Sequence, residues 1–298
     1  MIDYSALRVL HAVVLTGSFE KASAVLNVTP SAVSQRIKQL EERVGAALVV
    51  RGNPCTATEQ GEWLCRHMEN VGVLETELFE SLPSLADNAS APQKVTLQIA
   101  TNADSLGTWF LEAAADFARS SGYLLNIVVD DQDHTAEWLQ KGRVVAAVTS
   151  VTKPIPGCRS FELGALRYHA TASPDFIANH FANGVTPQTL AHAPSLTYNQ
   201  KDRLQSEWMR SVFGEEVNVP THWLPSTQSF VEASLLGMGW GMNPTHLVEQ
   251  HLKAGRLMEL LPGKLHDVNL VWQINRIAAD PLAALTRKIL EIARRSLL

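Results

Sequence analysis

The segment TPSAVSQRIKQLE, residues 29–41, sets two hydroxyls, an amide and an ammonium on one side of a 3.6-residue period: Ser31, Ser34, Gln35 and Lys38. Hydroxyl and amide groups at that spacing can exchange hydrogen bonds with base edges in a major groove, and Arg36 and Lys38 can neutralise phosphates. A solvated helix face has the same composition, so the meaning of this stripe depends on what surrounds it. A second group, TNADSLGT at 101–108, offers Asn102, Asp104, Ser105 and Thr108. Backbone N–H groups at a helix start, with two hydroxyls beside them, suit an anion such as a carboxylate. Plain capping by Asn102 or Asp104 would use the same residues without a ligand. The third group, VDDQDHT at 129–135, concentrates Asp130, Asp131 and Asp133. Those carboxylates can hold an ammonium or guanidinium group, or cap the following helix and face water. Thr149 at a strand end, and Ser226 and Gln228 at a helix start, are placed to join such a site.

The residues of covalent and metal chemistry lack the spacing they need. His246 and His251 are five apart, off the i, i+4 face of helical metal ligands, and there is no H-E-x-x-H or G-x-S-x-G. Asp130, Asp131, Asp133 and His134 are better read as capping or ligand groups than as a metal site. The three cysteines form no C-x-x-C pair. The segment GMGWGMNP, 237–244, departs from G-x-G-x-x-G and reads as a turn and strand. The expectation is a protein that is not an enzyme and has no metal or cofactor.

With 298 residues, 46% hydrophobic and 18% charged, the chain has enough apolar material for two or three domains. Residues 1–58 carry six Lys or Arg against four acids, whereas the whole chain has a net charge of -5. A mildly basic head on an acidic body suits one nucleic-acid-binding module joined to something else. The first residues, MIDYSALRVLHAVVLTG, lack a basic region before a long apolar stretch, and no apolar run approaches the roughly eighteen residues of a membrane span. The cytoplasm is the expected location, with no membrane partner.

These groups need elements to hold them. Leu7, Leu10, Val13 and Val14 recur at helical spacing and Gly17 closes the pattern, which predicts a helix over 3–16. Ser18 caps a second, Asn27 tolerates the left-handed turn, and Thr29 with Pro30 starts a third. Val33, Ile37, Leu40 and Val44 then form its inward stripe. Two helices joined by a tight turn make a helix-turn-helix, which gives the polar face of 29–41 a duplex DNA groove to read. The segment ALVVRGNPCTA reads as a hairpin wing, with Arg51 near its tip where it can enter a minor groove. From Thr58 onward Leu64, Met68, Val71, Leu74, Leu78 and Leu82 keep a spacing of three or four up to Pro83. That stripe can pack on the chain's own core or zip against another copy, and the helix is too long for a small head to cover. Residues 84–93 read as a linker. The domains are therefore a winged helix-turn-helix at 1–58, a connecting helix and hinge at 59–92, and a body at 93–298.

Within the body KVTLQIA, YLLNIVVD and RVVAAVTS alternate as strands around two helical segments, which predicts βαβαβ and an open parallel sheet. A second such series follows, and the last strand and helix return to the first. The fold class is α/β with an all-α winged helix-turn-helix at the N-terminus. Its body resembles a two-lobed periplasmic-binding-protein-like clamp, with lobe I at 93–164 and 267–298 and lobe II at 165–266. Ligands of such folds sit between lobes at the carboxyl ends of strands.

Residues 1–60, through SFEKASAVLNVTPSAVSQRIKQLEERVG and the later TEQG, resemble the winged helix-turn-helix of LysR-type transcriptional regulators. NADSLGTWF, KGRVVAAVTSV, LGALRYHATASPDFIANHFANGVT and STQSFVEA extend the likeness to the ArgP/LysG branch, which senses basic amino acids. The resemblance implies contacts to double-stranded DNA from Thr29, Ser31, Ser34, Gln35, Arg36, Lys38 and Arg51. It also implies an amino-acid effector, lysine, arginine or a relative, held by Asn102, Asp104, Ser105, Thr108, Asp130, Asp131, Thr149, Ser226 and Gln228. Control of amino-acid export or metabolism, a homodimer or homotetramer, and RNA polymerase as a further partner belong to the same expectation. Gln132 and Gln228 stand where that branch commonly has Glu, and Pro30 where it often has Gln. A different reading of the same head is an architectural DNA-binding protein with no small-molecule effector.

Overall fold

The computed structural model describes residues 2–82, 95–130 and 134–298. The chain divides into two compact units, Met1–Leu97 and Gln98–Leu298.

In the first unit Asp3 caps α1 (Tyr4–Thr16) by accepting from the Ala6 N–H at 3.1 Å, and Gly17 closes it in the left-handed region. Ser18 caps α2 (Phe19–Val25), and Asn27, at φ 53°, turns the chain into α3 (Pro30–Val44). The Thr29 side chain accepts from Ala32 N–H at 3.3 Å and Pro30 takes the first position, as the sequence predicts. Leu7, Leu10, Val13, Val33, Ile37 and Leu40 are fully or nearly fully buried together, which fixes the rotation of α3 and leaves its opposite face outward. The wing is a short antiparallel hairpin, β1 (Val49–Val50) with β2 (Thr56–Ala57). Glu41 on α3 anchors it by accepting from Leu48 N–H at 2.8 Å and Val49 N–H at 3.3 Å. Helix α4 (Glu59–Ser81) follows, capped by Thr58. Met68 and Cys65 join the core under α1, whereas Leu74, Leu78 and Leu82 are about half exposed, at 50%, 46% and 48%. The inner part of the stripe thus packs in the head core, and its outer part is left half exposed.

The second unit contains β3 (Thr96–Thr101), α5 (Ala103–Ser105), α6 (Leu111–Ser121), β4 (Leu124–Val129), α7 (Thr135–Gln140), β5 (Ala146–Thr149) and β6 (Cys158–Ala172). After these come α8 (Pro174–His180), α9 (Pro187–Leu190), β7 (Ser195–Thr197), α10 (Leu204–Phe213), β8 (Thr221–Trp223) and α11 (Thr227–Leu235). The chain ends with β9 (Gly241–Pro244), α12 (Thr245–Lys253), β10 (Met258–Glu259), β11 (His266–Asn275) and α13 (Ala283–Ser296).

The expected open parallel sheet is corrected here to a mixed one. Its order is β10-β6-β11-β5-β3-β4, with β9 also on β6. β3 and β5 run parallel, but β11 is antiparallel to both β5 and β6. Local βαβ crossovers enforce parallel neighbours, while a strand returning from a distant part of the chain has no such constraint. β6 is one strand of 15 residues, paired with β11 over most of its length and with β9 and β10 at its end. Residue 165, where the sequence suggests entry into lobe II, lies inside this strand and not in a loop. β7 and β8 form a separate parallel pair, bridged to Trp240 through Ser195.

Aromatic residues fill both parts of this unit. Phe110 lies against Trp109 and Trp272, whose Nε1 donates to Thr286 on α13 at 3.0 Å. Trp208 and Trp240 are fully buried with ring centroids 5.5 Å apart. No helix among the described residues is long and apolar enough to cross a membrane.

Candidate functional site

On α3, Ser31, Gln35, Arg36 and Lys38 are exposed and Ser34 is half-buried. Thr29 lies beside them, its hydroxyl 3.0 Å from that of Ser31. Lys38 Nζ is 3.8 Å from Glu42 on the next turn, a solvated pair of little worth that a phosphate can replace. Arg51 is exposed, but it does not extend from the wing: its guanidinium lies over the Phe19 ring at 5.2 Å. That contact stores the arginine against the start of α2. The head therefore presents one polar helix face, with helix-start N–H groups and cations around amide and hydroxyl side chains.

The second unit holds a cleft walled by Asn102, Ala103, Asp104, Asp130, Tyr198, Asp202, Leu204, Thr227, Phe230, Met242, Asn243 and Pro244. Its walls come from the ends of β3, β4, β7 and β9 and the starts of α10 and α11, the strand-end geometry expected of a ligand crevice. Asp104 is a buried and strongly perturbed group of this cleft. The carboxylate accepts from Tyr168 Oη and Thr227 Oγ1, both at 2.8 Å, so residues far apart in the chain close on one buried charge. Burial pushes its pKa up to about 6, the two hydrogen bonds pull against that, and the charge of Asp202 adds to the rise. Asp202 is raised too, first by burial, although it accepts from Tyr198 N–H and Leu204 N–H at 3.0 Å each. Burial and the Asp104 and Asp130 charges raise the Tyr198 phenol, which remains protonated and able to donate. Asp130 accepts from Trp138 Nε1 at 2.9 Å and from Lys201 Nζ at 3.4 Å.

Of the residues picked out from sequence, Asn102, Asp104 and Asp130 line this cleft and Ser105, Thr108, Thr149, Ser226 and Gln228 do not. The Ser105 N–H is taken by Asn102 Oδ1 at 3.2 Å, so capping claims a donor that the sequence reading offers to an anion. Thr108 donates back to Asp104 O at 2.6 Å, and Thr149 Oγ1 accepts from Val151 N–H at 3.2 Å. Ser226 caps α11 and accepts from Ser229 N–H at 3.3 Å. Gln228 is exposed, with its amide near Gly107. Asp131 and Gln132 lie outside the described residues. The helix expected from Asp104 through Ala118 is interrupted by a wide π-turn, Leu106–Phe110, at this wall. Such turns recur at functional sites.

Four polar wall residues lie outside the sequence candidates: Tyr198, Asp202, Thr227 and Asn243. Tyr198 and Asn243 come at or just after strand ends, the position that singled out Asp130, so the same rule applied to β7 and β9 finds them. Asn243 is fully buried; its Nδ2 donates to Thr171 Oγ1 at 3.0 Å, while Oδ1 has no hydrogen-bond partner among the described residues. Three carboxylates and an unmatched carbonyl, faced by the half-exposed ammonium of Lys201 at Asp130, leave the wall with an excess of negative groups that suits a cation. Among the described residues no group of His, Cys, Asp and Glu has a metal-holding arrangement.

Comparison with known proteins agrees with both halves of this picture. Residues 4–62 match the family described as bacterial regulatory helix-turn-helix protein, lysR family, and residues 90–296 match the LysR substrate binding domain. The chain is 41% identical over 290 residues to the HTH-type transcriptional regulator ArgP of Pseudomonas aeruginosa, covering 97% of this chain and 95% of that one. The crystal structure of ArgP from Mycobacterium tuberculosis superposes with a TM-score of 0.79 at 38% identity, covering 100% of this chain and 99% of the other. Full-length LysG from Corynebacterium glutamicum, solved with bound effector Arg, gives 0.68 at 34% identity and covers 99% of each chain.

Proposed function

Because this chain belongs to the LysR family of DNA-binding, effector-controlled transcriptional regulators, we propose that its cleft takes a basic amino acid, arginine or lysine. Occupancy would then bias how a homodimer or homotetramer holds DNA. The observation that carries the reading is the convergence of Asp104, Asp130 and Asp202 in one wall, against the half-exposed ammonium of Lys201, which reaches Asp130 at 3.4 Å. A guanidinium or ammonium brought there gains charge-assisted hydrogen bonds that a neutral side chain cannot make. The neutral Gln228 does not remove this charge, since it lies outside the wall. LysG from Corynebacterium glutamicum, with its bound Arg, is a relative that supports the same choice.

On the DNA side, Ser31, Ser34 and Gln35 read base edges while Thr29, Arg36 and Lys38 meet the backbone, and Arg51, after leaving Phe19, enters a minor groove from the wing. Gln35→Ala should relax sequence preference, costing about 1–3 kcal/mol on the preferred site and little elsewhere. Lys38→Ala should weaken all sequences alike and lower the salt slope by about one. Binding titrations on a selected site and on a scrambled duplex, at two salt concentrations, distinguish the two. The regulator works in the cytoplasm, where its DNA is, and RNA polymerase is its further partner at a promoter.

The effector is only useful if it binds two arrangements of the regulator unequally. A cation stabilises ionised Asp104, so binding below about pH 6 must first displace a proton from it. Arginine affinity should fall about tenfold between about pH 7.5 and about pH 5, and calorimetry in matched buffers reads the change. Thermal unfolding with each common amino acid tests the whole assignment, since a ligand at a hundred times its Kd adds about 2.7 kcal/mol. Arginine or lysine should raise the midpoint and glutamate should not. No rise with either basic amino acid would overturn it.

A further inference from the structure

Lys201 lies in the turn after β7 and sends its ammonium to Asp130 at the end of β4, 71 residues away in the chain, at 3.4 Å. Asp130 is a wall residue and mostly buried, with 18% of its side chain exposed, whereas Lys201 is half exposed at 51%. The turn that carries the lysine is held firmly. Asn199 Oδ1 accepts from Lys201 N–H at 2.7 Å and Asp202 N–H at 3.2 Å, and the Asp202 carboxylate fixes Tyr198 and Leu204. The Lys201 stem can therefore swing while its backbone stays.

We propose that Lys201 is a tethered counter-ion: it neutralises Asp130 while the cleft lacks a cationic ligand, and it is displaced when one arrives. This rests on the reading of the cleft as a site for basic amino acids. Two cations cannot share one carboxylate in a site already short of solvent without mutual repulsion, so the incoming side chain must replace the resident ammonium. A half-exposed ion pair is weak enough for this exchange, shifting an equilibrium by up to about fivefold. Lys201 thereby weakens every ligand that needs Asp130 by the same factor, and leaves untouched any ligand that does not. It sets the concentration at which the cleft responds and leaves the choice between arginine and lysine to the other wall residues.

The test is calorimetry on the full-length chain with L-arginine and with L-citrulline, which has the same length as arginine but a neutral head. Lys201→Gln should bind arginine about two- to fivefold more tightly than the wild type, Lys201→Arg should not, and citrulline binding should be unchanged by either. In an Asp130→Asn background Lys201→Gln should have no effect on arginine. Unchanged or weaker arginine binding by Lys201→Gln overturns the proposal, as does equal tightening in the Asp130→Asn background. No heat from wild-type protein with arginine overturns the reading of the cleft, and this proposal with it.

Discussion

Asp104→Asn is expected to weaken arginine binding by about ten- to a hundredfold while leaving the chain as stable as before, or more so. Hydrogen bonds to a charged group contribute about 1.5–3 kcal/mol, and each 1.4 kcal/mol is tenfold in affinity. Asparagine keeps one oxygen for one of the two hydroxyls, the other turning to accept from the amide N–H, but gives up the charge that draws a cation. Stability moves the other way because the folded chain holds the Asp104 proton more tightly than an unfolded chain does. With the carboxyl raised from 3.8 to about 6, ionised Asp104 costs on the order of 3 kcal/mol above pH 6. That cost shrinks as the pH falls through 6 toward 4, where both states take up the proton. Denaturant unfolding of the two proteins at about pH 8 should therefore favour the variant, and the difference should narrow at about pH 5. A variant that loses binding and stability together would mark Asp104 as a packing residue. Binding sites commonly hold such costly groups, with stability spent on function.

The second large effect is at the outer half of α4. Leu74→Glu combined with Leu78→Glu should convert the assembly to monomers and lower affinity for a two-half-site DNA by about a hundred- to ten-thousandfold, the gain that linking two weak heads provides. Both leucines are half exposed, so the head itself should unfold at nearly its wild-type temperature. Sedimentation and a DNA titration on the same samples check both statements. If the double variant remains a dimer, the partner face lies elsewhere. The inner half of the same stripe serves a different purpose: Met68 and Cys65 are sealed in the head core, and burial pushes the Cys65 thiol up to about 12, with Glu69 and Glu62 adding to the rise.

The head was legible because its rules are local. Thr29 and Pro30 start α3 within ten residues of the groups they position, and Asn27 turns the chain with its own side chain type. The body was legible only in part. Lobe I is expected to end at Gly164, yet β6 continues past this glycine, at φ 114°, with a shift in its register against β11 on one side and the Leu298 main chain on the other. A Cβ at Gly164 would lie 2.5 Å from Leu298 O, so the glycine makes room for the chain end instead of ending the strand. The candidate site shows the same division. Asp104 and Asp130 stand at the ends of strands that the sequence marks clearly. Asn243 and Tyr198 also stand at or just after strand ends, but only the pairings of β9 with β6 and of β7 with β8 bring them and Asp202 into the wall beside Asp104, and no local pattern records those pairings. Ser105 and Thr149 are not among the wall residues, although the buried Ser105 hydroxyl has no hydrogen-bond partner among the described residues, while Thr149 Oγ1 accepts from Val151 N–H.

The central claim joins the two units: a basic amino acid in the cleft alters how the regulator lies on DNA. Footprinting on a duplex selected from a random pool, with and without L-arginine at a concentration that calorimetry shows to saturate the protein, tests it most directly. The wild type should shift its protected or hypersensitive positions when arginine is added, and Asp104→Asn should keep the ligand-free footprint at the same concentration. An identical footprint with and without arginine on the saturated wild-type protein would contradict the account.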